Sequence, residues 1–153
     1  MATSTLLQKL FAADESGVGE DSVIVSNRRQ VETFFASEAI SDGDLVCLDI
    51  SKTSDGDKVS YIKKLKTDAG LTAVAIGIAD EDIAADDTGR VVIKGFKADA
   101  NVATGAAIGE RIVGTSTAGR GDVLANSSTL PALAYVVTTA SGNQADVIVI
   151  KQF

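Results

Sequence analysis

Between residues 71 and 96 the apolar positions fall in two runs around an acidic loop, and the layout returns at the end of the sequence. The first run, Leu71-Thr72-Ala73-Val74-Ala75-Ile76-Gly77-Ile78, matches Leu130-Pro131-Ala132-Leu133-Ala134-Tyr135-Val136-Val137. The second, Val91-Val92-Ile93-Lys94-Gly95-Phe96, matches Ile148-Val149-Ile150-Lys151-Gln152-Phe153. Residue 71 maps to 130 and residue 96 to 153, so the offset falls from 59 to 57 and the loop is two residues shorter in the second copy. Period-two alternation predicts β-strands that keep their phase between copies. Val74, Ile76 and Ile78 share one face, and Ala73, Ala75 and Gly77 the other. In the second copy Leu133, Tyr135 and Val137 face one way, and Ala132, Ala134 and Val136 the other. The large-residue face is expected to fill a core. The small-residue face leaves room for another sheet or chain to come close.

The repeat extends backwards more faintly. Gly43-Asp44-Leu45-Val46-Cys47 resembles Gly109-Glu110-Arg111-Ile112-Val113 at an offset of 66. Each is followed by a glycine-bearing turn, Asp55-Gly56 and Ala118-Gly119. The pattern predicts a turn over Ser41-Asp42-Gly43-Asp44 and a strand over 45–50. It also predicts a hairpin connection over 51–57 centred on Asp55-Gly56, then a strand over 59–63. Two units, about 39–103 and 104–153, with about four strands each, make the fold mainly β. The expected form is an internally duplicated small β-barrel or β-sandwich.

Residues 1–38 have no counterpart in the repeat and read as an N-terminal extension or arm. Ser4 can cap a short helix over 1–13 that carries Leu6, Leu7, Leu10 and Phe11. Residues 14–21 form a polar link, and 22–26 a β-branched strand. Residues 27–35 suit either helix or strand, with Val31, Phe34 and Phe35 at helical spacing. The extension either packs on its own body or lies on a neighbouring subunit. Its apolar residues Leu6, Leu7, Leu10, Phe11, Phe34 and Phe35 are the candidate contact residues.

The 153 residues carry a net charge of −7, no histidine, no tryptophan and one cysteine. An acidic surface repels a phosphate backbone, so nucleic acid is not an expected partner. Without histidine the commonest general base and metal ligand are missing. No nucleophile–base pair can be assembled without it, short of serine–lysine variants that nothing in the sequence marks, and no cofactor fingerprint is present. Cys47 cannot form an internal disulfide and reads as a buried apolar residue. No apolar run is long enough to span a bilayer, and the N-terminus lacks the layout of a signal peptide. The chain therefore reads as made and kept in a reducing, cytoplasm-like compartment. Asp80, Glu81, Asp82, Asp86 and Asp87 form the densest carboxylate group. Their spacing is not that of an EF-hand, so they read as a charged loop. Arg120-Gly121-Asp122, the tripeptide of integrin ligands, sits in a glycine-rich turn and reads as turn chemistry. Lys63, Lys64 and Lys66 read as a solvated strand end.

Several stretches resemble the small head decoration proteins of tailed bacteriophages. They are Phe35-Ala36-Ser37-Glu38-Ala39-Ile40-Ser41-Asp42-Gly43-Asp44-Leu45-Val46, Ile76-Gly77-Ile78-Ala79, Val91-Val92-Ile93-Lys94-Gly95-Phe96, Asn101-Val102-Ala103-Thr104-Gly105, Thr115-Ser116-Thr117-Ala118-Gly119-Arg120 and Val149-Ile150-Lys151. Together they cover residues 35–153. Tyr135-Val136-Val137 departs from the glycine that the family has there. The resemblance implies a capsid cement protein without catalytic residues, made in the host cytoplasm and carried on the outer capsid surface of the virion. Its implied partners are the major capsid protein and itself, as a homotrimer, with no membrane involved. The alternative is a receptor- or glycan-binding module of a phage tail or surface fibre, which would need an exposed aromatic platform.

Overall fold

The computed structural model describes residues 29–67, 75–124 and 131–150. The candidate contact residues Leu6, Leu7, Leu10 and Phe11, and the strand expected over 22–26, lie outside the described residues. The strands are β1 (Gln30–Ala36), β2 (Leu45–Leu48), β3 (Tyr61–Lys64), β4 (Ala75–Ala79) and β5 (Thr88–Asn101), then β6 (Arg111–Gly114), β7 (Gly121–Val123), β8 (Ala134–Val136) and β9 (Gln144–Val149). One short helix, α1 (Asp55–Ser60), precedes β3.

The sheet order is β1-β3-β2-β4-β5-β9-β8-β6-β7, and β1 also pairs with β5. That second pairing closes β1, β3, β2, β4 and β5 into a five-stranded barrel. β1 runs parallel to β3 and antiparallel to β5. Closure removes the exposed edges that an open sheet of this size would present. The order also reads symmetrically outwards from β5 and β9: β5-β4-β2-β3 on one side, β9-β8-β6-β7 on the other. The register of the hairpins repeats too, since Val46↔Lys64 and Cys47↔Lys63 correspond to Ile112↔Val123 and Val113↔Asp122. The fold is thus mainly β with the same pairing pattern laid down twice. Among the described residues, the ends of the second sheet meet through an isolated bridge, Val102↔Gly121.

Two cores follow from the alternation. One fills the barrel with Ala36, Ile40, Val46, Ile62, Ile76, Ala79, Ile83, Val91 and Ile93. The other lies between the outer side of β2, β4 and β5 and the second sheet. It holds Leu45, Cys47, Ile78 and Val92 against Ile112, Ala134, Val136, Val147 and Val149. Val91, Val92 and Ile93 alternate between them, so β5 is apolar on both sides.

The expected faces of the repeated strand need correction. Val46 pairs with Gly77 and Cys47 with Ala75, so Ile76 is an extra residue in β4. This bulge puts Ile76 in the barrel core while Ala75 and Ile78 meet the second core. β8 pairs without interruption. There the small residues Ala134 and Val136 are buried, and Tyr135 and Val137 stand in solvent. The large-residue face is therefore not the core face in β8. The two strands also do not keep phase: the offsets would pair Val137 with Val149, but Ala134 pairs with Val149.

The connection after β2 is a second correction. Asp55-Gly56 does not sit in a hairpin turn; it opens α1. The polar residues around it offer no cross-strand pairs to zip a ribbon. Asp55 and Asp57 in the first turn favour the helix N-terminus, and Lys58 reaches back to Asp55 at 2.8 Å. The expected strand over 59–63 consequently starts two residues later, at Tyr61. The expected turn at 41–44 is present, with Gly43 at φ 83°.

Cys47 is buried beside β3, and burial pushes its thiol up to about 11. A thiolate reagent at pH 8 should therefore find no reactive thiol in the folded protein and one per chain after denaturation. Rapid reaction of the folded chain in an Ellman assay would contradict this packing.

Candidate interaction face

The second sheet covers the outer side of β2, β4 and the middle of β5. β1 and β3 turn their outer sides to solvent, and there the barrel carries aromatic residues. Phe35 and Tyr61 are paired in the parallel β1–β3 register. Their rings stack with centroids 5.2 Å apart and planes at 23°, an offset arrangement that aromatic pairs favour. Lys52 places Nζ 4.2 Å from the centre of the Tyr61 ring, a cation–π contact. Phe35 is 43% exposed. Val31 on β1, Ile50 in the loop after β2 and Val59 on α1 are exposed as well.

Asp49 holds this face together. Its carboxylate accepts hydrogen bonds from Ser37 Oγ at 2.7 Å and Ser51 Oγ at 2.6 Å, and pairs with Lys63 Nζ at 3.0 Å. Its backbone N–H donates to Tyr61 O, and its own carbonyl accepts from Lys52 N–H. One buried side chain thus ties the end of β1, the 49–54 loop and β3, and so sets Lys52 over Tyr61. Burial alone would raise the Asp49 pKa. The two serine hydroxyls, Lys63 and the Ser51 N–H outweigh it and hold the carboxyl well below the usual carboxylate range.

The structure parts the two described contact candidates. Phe35 points out, whereas its neighbour Phe34 packs against the barrel core. The segment that suited either helix or strand is a strand here, because β5 and β3 supply partners on both its edges. Lys52, Tyr61 and Asp49 were not anticipated as parts of one face. Their only signal in the sequence was that Tyr61 alternates with Ile62 in a strand, which leaves one of the two outside.

Several other charged groups are engaged within the chain. Asp80 pairs with Arg29, and Glu81 with Arg90 at 3.2 Å. Asp82 accepts the Asp42 N–H, and Asp87 accepts the Thr88 N–H. The Arg90 N–H and guanidinium lower the pKa of Glu81. Asp80, Glu81, Asp82 and Asp87 of the acidic loop thus serve as local caps and ion-pair partners. Lys63 and Lys64 pair with Asp49 and Asp44, so they are not simply a solvated strand end. Arg120, in the β6–β7 turn, donates to Asn143 just before β9, and Asp122 accepts the N–H of Val123. Among the described residues no group of three or more His, Cys, Asp or Glu could hold a metal ion. Among them, too, no helix is long and apolar enough to cross a membrane.

Neither a protein-family model nor a curated protein matches this sequence. Among solved structures, the chain is similar to the head fiber gp8.5 N base of bacteriophage phi29. The two share 15% identity over 80% of this chain and 94% of that one, with a TM-score of 0.53. At that identity the likeness is one of fold: this barrel with its second sheet is an architecture also found in the base of a phage head fibre.

Proposed function

We propose that this chain is a structural component of a tailed-phage virion that binds the outer capsid surface and stabilises the lattice of the major capsid protein. The observation that carries this reading is the fold likeness to a phage head-fibre base. The resemblance of residues 35–153 to head decoration proteins points the same way. The proposal gives the chain no catalytic role. A protein that binds only the assembled lattice stabilises it by its binding free energy, and many identical sites multiply a modest contact. The uncovered side of the barrel around Phe35 offers an apolar contact surface. Residues 1–21 would add an arm laid on the neighbouring capsid or decoration subunit, and self-association as a trimer would match a lattice junction.

The test has two stages. Light scattering gives the mass of the free protein, and co-sedimentation with undecorated expanded heads gives binding. The reading expects a trimer that sediments with heads. Removing residues 1–21 should weaken head binding about tenfold, or about 1.4 kcal/mol per site, with little change in the melting temperature of the free protein. A monomer that ignores heads would remove the proposal.

One observation favours the second reading, a receptor- or glycan-binding fibre module: the exposed Phe35–Tyr61 pair is an aromatic platform. Tyr61 is already engaged by Phe35 and Lys52, which leaves Phe35 as the ring open to a sugar. A glycan array separates the readings, since binding lost in Phe35→Ala would favour the fibre module.

A further inference from the structure

The second sheet carries an apolar row on the side away from its core. Phe96, Ile148 and Tyr135 are directly paired across β5, β9 and β8. Their sequence neighbours Val147, Val149, Ala134 and Val136 are buried, so alternation sends the row outwards. Ile148 is 39% and Tyr135 42% exposed. This row lies apart from the Phe35–Tyr61 face.

The described chain begins beside one end of this row. Arg29 donates from Nε to the Phe96 carbonyl at 3.1 Å and pairs with Asp80. Twenty-eight residues precede it, and those nearest include Ser22-Val23-Ile24-Val25-Ser26. From residue 29 back to residue 23 an extended chain reaches about 20 Å. The row from Phe96 to Tyr135 spans two strand spacings, about 10 Å. An apolar segment is thus tethered within reach of an apolar row, with its entry point pinned by a guanidinium.

We propose that residues 22–26 cover the Phe96–Ile148–Tyr135 row of their own chain. The three apolar residues then lose water against Ile148 and Tyr135, and the flanking serines stay at the rim. The inference does not depend on the virion reading.

The test uses the full chain carrying Ser22→Cys with a nitroxide label, since native Cys47 is buried. Ile148 methyl and Tyr135 resonances should lose most of their intensity, and adding Ile148→Asp should restore the Tyr135 signal. In a mixture of labelled chains with separately made isotope-enriched chains, the enriched resonances should stay sharp. Equal Tyr135 intensity with and without Ile148→Asp would overturn the proposal. Broadening confined to the mixture would also overturn it and assign the row to a second copy.

Discussion

Replacing Gly77 with alanine is expected to cost about 3 kcal/mol or more, at the upper end of overpacking effects. A Cβ at this position would run into the carbonyl oxygen of Val92 and lie 2.8 Å from Val91 Cγ1. The first obstacle is backbone of the neighbouring strand, so no rotamer change relieves it. β4 and β5 would have to separate where Ile78 pairs with Val92, and that pairing belongs to the barrel wall. A control isolates the steric cause. Gly105 has φ 85° and nothing within 4 Å of an added Cβ, so Gly105→Ala carries only the left-handed backbone cost of about 1–2 kcal/mol. Urea unfolding of both variants measures the difference. A smaller loss at Gly77 than at Gly105 would show that the two strands are not in this close contact.

Asp49→Asn is expected to destabilise the protein by about 2 kcal/mol at pH 7, the scale of hydrogen bonds to a charged group. The amide loses the pairing with Lys63 and can no longer accept from both serines with a full charge. The pH dependence gives the decisive sign. The folded pKa lies below the unfolded value, so the contribution is fully present above the ordinary aspartate range, about pH 4. It is lost as the pH falls towards the depressed folded value. Melting temperatures from pH 6 to pH 2.5 should therefore converge, with the wild type falling faster than Asp49→Asn. Parallel curves would show that Asp49 does not hold the 49–54 loop as a carboxylate.

Much of the architecture was legible from alternation. The repeat of residues 71–96, the turn at Gly43 and the strand content all follow from period-two patterning and turn chemistry. What alternation cannot show is a single inserted residue. Ile76 and Gly77 sit on one side of β4 because of a bulge, and the one local hint of it is the isolated glycine at 77, which reads equally as room for a close neighbour. A different limit reversed β8, which has no bulge: residue size suggested Tyr135 for the core, yet Ala134 and Val136 are the buried residues there. The 51–60 connection was misread because Asp-Gly serves both hairpin turns and helix starts. The candidate face was legible only in part. Phe35 stood out as an apolar residue without a repeat partner, but its link to Tyr61 depends on a parallel pairing 26 residues apart, which no local pattern encodes.

The strand that closes the barrel is also the first of the described strands in chain order. β1 pairs with β3 and then with β5 out to Lys94, so ribosomal synthesis must reach residue 94 before the ring can shut. Until then β1 lacks its β5 neighbour, and the barrel core is open along that seam. Such distant pairing slows folding. A nascent chain stalled before residue 88 would hold β2, β3 and β4 without their closing partner. Such a chain would be the species most exposed to chaperones and to mispairing with its own copies, so shortening β1 should act on yield during expression before it acts on any surface the finished protein presents.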